Sequence, residues 1–374
     1  MAPCGVDQNA KVERDTAKAL NLASIRKAIP ADVFEKSTFK SATYMVRDYA
    51  CLAACTYGIY SLCNSSLWAE MPFWQQALAT TAYWNAGGFF MWCIFMIGHD
   101  CGHTNFSPTE WVNDMVGHIA HGSILVPYHP WQLSHRRHHM YHNHEDKDYS
   151  HPWYTPERLA RPDEGTARMM HNNSFIRVLF PFYGWHIYLY GLPDGSHYFP
   201  FTSQRMWAET SPEEKKKCIL STAVVAANLF AIIYACGSAS NFAYYYLGPY
   251  VMFGWWLVTV TYLQHHDHKT LVYTDEDWSF VTAAFETVDR TFGFGIDAMH
   301  HHITDGHVAH HLFFKSIPHY NLPKATVAIQ AYLEKNNLSH MYKHDECRDF
   351  VYRVHKYFVE FGFKAHRAAS KKVE

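Results

Sequence analysis

The stretch His307-Val308-Ala309-His310-His311 decides how the rest of the chain is interpreted. On a helix, positions i, i+3 and i+4 share one face, so this pattern directs three imidazole rings toward one point. His135-Arg136-Arg137-His138-His139 repeats the pattern, and His99-Asp100-Cys101-Gly102-His103 places two histidines at i and i+4. Imidazole binds zinc, copper, iron and nickel, and eight rings are too many for one ion. These three segments, which we call boxes one to three in chain order, therefore predict two metal ions held by His99, His103, His135, His138, His139, His307, His310 and His311.

Chance is the alternative explanation, because the chain contains 28 histidines. One such spacing can arise by accident. Three of them, each beside an apolar segment, are hard to explain in that way. Metal binding is therefore the better interpretation.

The composition indicates burial against lipid rather than water. Hydrophobic residues make up 48% of the 374 residues and aromatic residues 17%, whereas charged residues make up only 18%. No Lys or Arg lies between Arg47 and Arg136 or between Lys217 and Lys269, which is improbable in a soluble protein. The net charge of -2 provides no basic surface for nucleic acid. We therefore predict an all-α integral membrane protein that does not bind nucleic acid.

Four apolar stretches, at about 48–68, 73–97, 218–236 and 242–263, are long enough to cross a bilayer. The loop between the first two and the loop between the last two contain no basic residue, whereas the N-terminal segment is rich in Lys and Arg. The positive-inside rule then places both termini in the cytosol. All three boxes lie at the cytosolic ends of these spans, which predicts a helical cytosolic cap that holds the metals.

This topology divides the chain into a cytosolic segment 1–45, a membrane domain 46–320 and a cytosolic segment 321–374. Two apolar stretches are too short to cross a bilayer, and we expect 117–128 to be re-entrant or interfacial and 178–192 to be an amphipathic helix at the interface. The odd number of cysteines, without a CxxC motif, predicts free thiols in a reducing compartment. No cleavable signal peptide is expected. Lys371 and Lys372 resemble a dilysine retrieval signal and favour the endoplasmic reticulum.

The type and position of the ligands indicate the chemistry. Nitrogen ligands with few carboxylates suit iron that changes oxidation state while it binds dioxygen. Histidines at a membrane surface, above a slot between helices, predict that a lipid chain enters from the bilayer. Oxidation of an unactivated C–H bond is the reaction that fits, and it requires dioxygen and two electrons. The metal would carry that step, while the protein positions the chain.

The boxes, their order and their placement among four spans resemble the integral-membrane fatty acid desaturases. Gly98–His103, Ser134–Met140 and His301–His311 are similar to the boxes of the microsomal methyl-end enzymes. Three further motifs strengthen the resemblance: Leu125-Val126-Pro127-Tyr128, Asp194-Gly195-Ser196-His197 and Ile317-Pro318-His319-Tyr320.

The resemblance implies a specific reaction and specific partners. The arginine pair in box two and Val308-Ala309 in box three resemble the Δ12 enzymes, which convert oleoyl to linoleoyl chains. The ω3 desaturases differ by only a few residues, and hydroxylases, epoxygenases and acetylenases use the same scaffold, so these alternatives stay open. The family also implies two iron ions, an acyl-lipid or acyl-CoA substrate, and a separate cytochrome b5 reduced by an NADH-dependent reductase. No fused cytochrome b5 motif occurs in this sequence.

The resemblance also extends the predicted site. It implies a ninth ligand, His265, at the cytosolic end of the last span, with His266 and His268 as less favoured neighbours. It places His301 next to the ligands, and His302 stands where the family usually has Asn. Metal-bound imidazole usually donates its second N–H to a carboxylate. The candidate carboxylates are Asp100, Asp146, Asp148, Asp267 and Asp305.

Two other classes of protein fit the histidine pattern less well. A zinc metalloprotease with the HExxH motif needs Glu after the first histidine, but Asp100 occupies that position. A histidine-rich membrane metal transporter should carry its ligands near the middle of the spans, whereas these boxes lie at span ends. His118 and His121 lie in a short apolar stretch, and we expect them to be packing residues rather than ligands.

Overall fold

The computed structural model describes residues 20–191, 195–200 and 204–367. Asp194, Lys371 and Lys372, which entered the sequence interpretation, lie outside these ranges. The framework consists of twelve helices of seven or more residues. In chain order they are α1 Leu22–Ala28, α2 Thr38–Cys63, α3 Phe73–Gly102, α4 Glu110–Ser123, α5 Tyr128–Tyr141, α6 Gly165–Asn172, α7 Ser174–Tyr190, α8 Pro212–Cys236, α9 Gly248–His265, α10 His307–Phe313, α11 Leu322–Lys335 and α12 Phe350–Glu360.

Shorter helical turns connect these helices. A turn at Ser66–Glu70 follows α2, and Ala239–Phe242 with the π-helical turn Ala243–Leu247 leads into α9. The others are Ala31–Phe34, Pro156–Leu159, Pro162–Glu164, Arg205–Trp207, Phe280–Ala284, Ile296–Met299, His319–Asn321 and Ser339–Met341.

The chain also contains strands, so the all-α prediction holds for the framework but not for every connection. The four strands are β1 Leu271–Val272, β2 Val288–Thr291, β3 Lys343–Glu346 and β4 His366–Arg367. β1 pairs with β4 and β2 with β3, both in parallel. These pairings join the segment after α9 to the C-terminal part of the chain, which thereby packs against the part that carries box three.

The long helices α3 and α9 form the centre of the structure. α3 packs against α2, α4 and α9, and α9 also packs against α7 and α12. α3 and α9 approach closely at Gly88, where an added Cβ would lie 2.6 Å from the backbone nitrogen of Phe253. The largest apolar core includes Ile94, Ile97, Phe253 and Leu263 from these two helices.

Helix α8 shows how local sequence sets helix ends. Ser211 caps its N-terminus in a reciprocal capping box with Glu214, and Gly237 ends it in the left-handed conformation at φ +68°. Among the described residues, α8 is the one helix that is long and apolar enough to cross a membrane, and only 17% of its most apolar part is buried.

The prediction of four membrane spans is therefore not confirmed by helix length and composition. The other three stretches lie in α2, in α3, and in the run from Ala239 to His265. Their hydropathy is lower because aromatic and polar residues are interspersed among the aliphatic ones, as at Tyr83, Trp84 and Asn85 in α3. α3 and α9 also bury much of their apolar surface, whereas α2 buries only Ser41, Asp48 and Ile59.

The two shorter apolar stretches are helices connected to the boxes. The stretch 117–128 is the end of α4 and the turn into α5, and the stretch 178–192 lies largely in α7. Both predicted non-spanning segments are thus short helical elements beside box two. α1 ends at Ala28, two residues before Pro30.

Candidate metal centre

Four helices direct the predicted histidines toward one region. Box one lies at the C-terminal end of α3, whose C-cap is His103, and box two lies in the second half of α5. Box three forms most of α10, and His265 is the last residue of α9. Each box therefore has the helical geometry that its spacing predicts.

β2 fixes the start of α10. Gly306 precedes this helix and supplies no side-chain cap. Instead, the Asp289 carboxylate of β2 accepts a hydrogen bond of 2.8 Å from the Val308 backbone N–H. The backbone N–H of Arg290 donates to the Thr304 carbonyl oxygen over 2.8 Å. The β2–β3 sheet thus anchors the start of box three.

The first group of imidazoles contains five residues. In this group one ring nitrogen of each residue lies within 4.8 Å of that of every other. The Nε2 atoms of His135 and His139 are 3.1 Å apart, and those of His139 and His310 are also 3.1 Å apart. The five members are His99, His103, His135, His139 and His310.

The second group is centred on His265. His138, His265 and His311 form a cluster by the same criterion. The Nε2 atom of His265 lies 3.3 Å from Nε2 of His138 and 3.1 Å from Nε2 of His307. The two groups adjoin, because the rings of His139 and His311 are 4.3 Å apart between centroids. Neighbouring residues of boxes two and three therefore contribute to different groups.

The spacing of these nitrogen atoms fits metal ligands. With a metal–nitrogen bond of about 2.1 Å, two ligands at a right angle lie about 3.0 Å apart. Separations of 3.1 and 3.3 Å between facing Nε2 atoms agree with that geometry. The facing nitrogen atoms have no carboxylate between them, so the donor sets consist of imidazoles alone.

Burial keeps these imidazoles neutral, which is the protonation state that binds metal. Loss of water contact, followed by repulsion from neighbouring imidazolium groups, lowers the pKa values well below 6.5. The affected residues outside the long central helices are His135, His139, His307, His310 and His311.

One of the five candidate carboxylates directly contacts a predicted ligand through a short hydrogen bond. Nδ1 of His138 donates to both Asp148 oxygens, over 3.0 and 2.9 Å. The same carboxylate accepts the His151 backbone N–H over 3.1 Å. Burial raises the Asp148 pKa, although His138 favours the charged form. Asp148 therefore orients His138 so that its Nε2 faces His265.

Asp100 makes a less direct contact. Its Oδ1 atom lies 3.6 Å from Nδ1 of His99. Its Oδ2 atom accepts a hydrogen bond of 2.7 Å from Nδ1 of His319. His319 packs against the ring of His301, with centroids 4.3 Å apart. His301 in turn bonds Asp48 over 2.7 Å. Two residues, His319 and Asp100, thus separate His301 from His99 of the first group.

The remaining candidates have other partners among the described residues. Asp146 pairs with Arg161, and Asp267 accepts the Lys269 backbone N–H in the turn after α9. Asp305 accepts from His302 over 3.1 Å. Each of these three thus stabilises local structure, as expected for a solvated or capping carboxylate.

The other histidines near the boxes pack against protein groups. His121 stacks on Phe95, and Nε2 of His118 lies 3.0 Å from Ser221 Oγ, as expected for packing residues. His268 is exposed. Sequence reasoning named His266 as a less favoured ligand but missed His151. The Nε2 atoms of these two buried histidines are 3.0 Å apart beside the second group. The only sequence signal for His151 was its closeness in the chain to Asp148.

An apolar cavity of about 790 Å³ reaches the two groups. Six of the nine predicted ligands contribute to its wall: His99, His135, His138, His265, His307 and His311. Trp131 stacks on His135 with centroids 4.4 Å apart and also lines the cavity, as do Trp92 and Trp185. A long apolar molecule inside this cavity would therefore pass directly beside the imidazoles.

Comparison with known proteins assigns the chain to a family. The family model described as "Fatty acid desaturase" matches residues 49–344, a range that includes all three boxes and His265. The chain belongs to the fatty acid desaturase family. The resemblance seen in the boxes is thereby confirmed. Fatty acid desaturases are oxidoreductases, and this chain is therefore assigned to that class of enzyme.

The relatives of this desaturase include enzymes of two regioselectivities. The "Delta(12) fatty acid desaturase fat-2" of Caenorhabditis elegans is 37% identical over 371 residues, 96% of this chain and 92% of the relative. The "Omega-3 fatty acid desaturase fat-1" of the same organism is 35% identical over 378 residues, 98% of this chain and 88% of the relative. The "Acyl-lipid omega-3 desaturase (cytochrome b5), endoplasmic reticulum" of Arabidopsis thaliana is 36% identical over 336 residues, 87% of this chain and 80% of the relative.

Proposed function

We propose that this desaturase inserts a cis double bond at Δ12 of oleoyl chains to give linoleoyl chains, at two iron ions held by the nine histidines of the three boxes and the end of α9. The main observation in support is the apolar cavity of about 790 Å³, whose wall includes six of those imidazoles. A cavity of this kind takes an extended alkyl chain and excludes water from it. The imidazole groups lie where the chain passes.

The chain's own residues position the substrate and the ligands. Trp92, Trp131 and Trp185 line the cavity and restrict how an alkyl chain lies next to His99 and His135. Asp148 holds His138 in one tautomer, with Nε2 free to bind a metal. Iron bound by the two groups would supply the dioxygen-dependent oxidation. Overall, two hydrogens leave the chain, and with two electrons and two protons from outside they convert one dioxygen to two waters.

The Δ12 assignment is supported by the sequence of the boxes. Arg136-Arg137 and Val308-Ala309 resemble the Δ12 group, and a Δ12 relative is 37% identical. The ω3 reaction is the second candidate, because ω3 relatives are 35% to 37% identical over most of the chain. Hydroxylases, epoxygenases and acetylenases on this scaffold would differ in their products.

Expression in a yeast that makes only monounsaturated fatty acids tests the assignment. The Δ12 proposal predicts new 18:2 with double bonds at positions 9 and 12, measured by gas chromatography with mass spectrometry. Formation of 18:3 from supplied 18:2, without 18:2 from endogenous 18:1, would replace it with the ω3 reaction. A fatty acid that carries oxygen or a triple bond would place the enzyme among the related catalysts.

The iron proposal predicts about two iron ions per purified chain. His310→Ala removes one imidazole of the first group, 3.1 Å from His139, and we expect loss of iron and of double-bond formation. Iron is measured by elemental analysis and activity by product analysis. His268→Ala is the matched control because His268 is exposed outside both groups. Full activity in His310→Ala would refute the ligand assignment.

We further propose four membrane spans at about 48–68, 73–97, 218–236 and 242–263, both termini in the cytosol, and residence in the endoplasmic reticulum membrane. Cytochrome b5, with its NADH-dependent reductase, is the proposed electron donor, and one relative's name includes it. A glycosylation acceptor inserted after Gly237 should be modified, whereas one inserted at either terminus should not. Reconstitution with purified cytochrome b5, its reductase and NADH should support turnover, and each protein left out should abolish it.

A further inference from the structure

The two ends of the cavity differ in exposure. At one end its wall consists of side chains from the C-terminal halves of α3 and α9, such as Phe95, Met96 and Val260, which are at most 4% exposed. At the other end the wall contains exposed residues of α6 and α7. Phe175 is 72% exposed and Met169 is 58% exposed. The cavity therefore opens to the surface between α6 and α7 and has a closed apolar end beside α3 and α9.

Two polar side chains at this opening lack acceptors. His171 is only 7% exposed, lines the cavity, and its Nδ1 atom has no hydrogen-bond partner among the described residues. Arg177 also lines the cavity, and its Nε atom is buried without a partner. A buried donor without an acceptor costs free energy unless a ligand pairs with it. The pair thus has the properties of an incomplete anion-binding site.

The surrounding charges leave this site positive. Among the described residues, Arg177 Nη2 donates a hydrogen bond to Ser174 Oγ over 3.2 Å. Glu164 lines the same cavity, but it accepts from Arg158 over 2.8 Å. Among the side chains that the structure describes, no carboxylate forms an ion pair with Arg177.

The C-terminal segment completes the opening. Gly362 adopts φ +57°, and an added Cβ would lie 3.0 Å from His171 Nδ1 and 3.4 Å from Arg177 Cδ. Its carbonyl oxygen accepts from the Tyr262 hydroxyl over 2.6 Å, which fixes the segment. Lys364 follows and is exposed. Gly362 and Phe363 line the cavity, and Lys364 is the next residue along the chain. Burial is the main cause that lowers the His171 pKa to about 4, with smaller contributions from Lys364 and Arg177.

We propose that His171, Arg177 and Lys364 bind the phosphate group of the molecule that carries the acyl chain. The proposal rests on the proposed function, because it assumes that an acyl chain fills the cavity. Arg presents several N–H donors to phosphate oxygens, and the neutral His171 donates through Nδ1. The carrier then sits at the opening between α6 and α7, and the methyl end of the chain points to the closed end. Phosphate is common to glycerophospholipids and to acyl-CoA, so either can be the carrier.

Equilibrium binding to the purified, iron-containing protein in detergent, without an electron donor, tests the subsite. Three radiolabelled probes are compared: dioleoylphosphatidylcholine in mixed micelles, oleoyl-CoA, and methyl oleate, which lacks phosphate. Arg177→Gln should weaken binding of the phosphate-bearing carrier about tenfold and leave methyl oleate unchanged. Arg177→Lys should restore most of the affinity. Lys356→Gln, a cation outside the cavity on α12, is the control and should bind all three probes normally.

Lys364→Gln provides a second variant at an exposed position, where misfolding is not a concern, and should weaken the same probe about threefold. A loss confined to phosphatidylcholine identifies a phospholipid carrier, and a loss confined to oleoyl-CoA identifies acyl-CoA. Equal binding of both phosphate-bearing probes to all variants overturns the subsite. An equal loss for methyl oleate also overturns it, because the residues would then only shape the cavity. The binding assay needs no turnover. If the variants bind the probes as expected but the enzyme forms no new double bond in yeast, only the proposed function is rejected and the phosphate subsite stands.

Discussion

A buried imidazole can bind a metal reliably only if a partner determines which of its nitrogens carries the proton. His138 has such a partner in Asp148, with two contacts of 3.0 and 2.9 Å. For several other members of the two groups, including His265 and His311, Nδ1 is buried without a partner among the described residues. Among the residues outside the two groups, Asp148 should therefore have the most direct effect on metal binding by the second group.

Asp148→Asn tests this role. The amide removes the negative charge that fixes His138, and we expect a 10–100-fold loss of iron affinity or activity, because loss of an outer partner typically has that size. Iron retention after dialysis against a weak chelator and product formation are measured together. Asp146→Asn is the matched control, since Asp146 is partly exposed and pairs with Arg161. Equal iron retention in Asp148→Asn and Asp146→Asn would contradict the assigned role.

The sequence could predict which histidines converge, but only some of their partners. Helical spacing within each box is local, so i, i+3 and i+4 directly specify a shared face. The contact between His138 and Asp148 crosses a non-helical loop, and the one between His319 and Asp100 links residues 219 apart in the chain. No periodicity encodes such contacts. For the same reason Asp146, Asp267 and Asp305 could not be separated from Asp148 by position alone.

At the level of elements, the closeness of α3 and α9 sets the distance between box one and His265. Gly88 permits this approach, because an added Cβ would meet Met252 Cβ at 2.5 Å and the Phe253 backbone nitrogen at 2.6 Å. Backbone atoms cannot move aside as a flexible side chain can. A side chain here must therefore separate the two helices and displace His265 from the imidazoles of boxes two and three.

Gly88→Ala should lower stability by roughly 1–3 kcal/mol, as expected for overpacking, and should reduce the iron content. Gly58→Ala is the matched control, because Gly58 also lies in a long helix but has open space around its Cβ position. Thermal unfolding in detergent and elemental analysis provide the measurements. Normal iron content in a destabilised Gly88→Ala protein would show that the crossing does not control the centre.

The elements themselves were only partly predictable. α3 extends to Gly102, beyond the predicted end of the second span near 97, so that box one is part of the helix that carries it. The strands were missed because β1 and β4 have two residues each, too few for an alternating pattern. Their pairing depends on the C-terminal segment returning to the region after α9, and local sequence contains no sign of that return.

At the scale of the whole molecule, burial of many neutral imidazoles makes stability depend on pH. Apart from the metal groups, burial lowers the pKa of His142, His151 and His197 to about 3. In the unfolded chain each would titrate near 6.5. Below that pH the unfolded state binds more protons than the folded state, so acid favours unfolding. Each such histidine contributes up to about 1.4 kcal/mol per pH unit over this range.

We therefore expect the chelator-treated protein to lose stability steadily as the pH falls from about 7.5 to 5.5, with most of the loss below the unfolded-state value of about 6.5. The measurement is the unfolding temperature at several pH values. His142→Gln should make the slope less steep, because it removes one buried imidazole whose pKa is lowered to about 3. His268→Gln, at an exposed position, should leave the slope unchanged. Iron-loaded protein should be more stable at every pH but should lose more on acidification, because protons also compete with metal for the imidazoles. A flat profile in the metal-free protein would mean that these rings are protonated, or reached by water, in the folded chain, and the two groups would then be poor sites for metal.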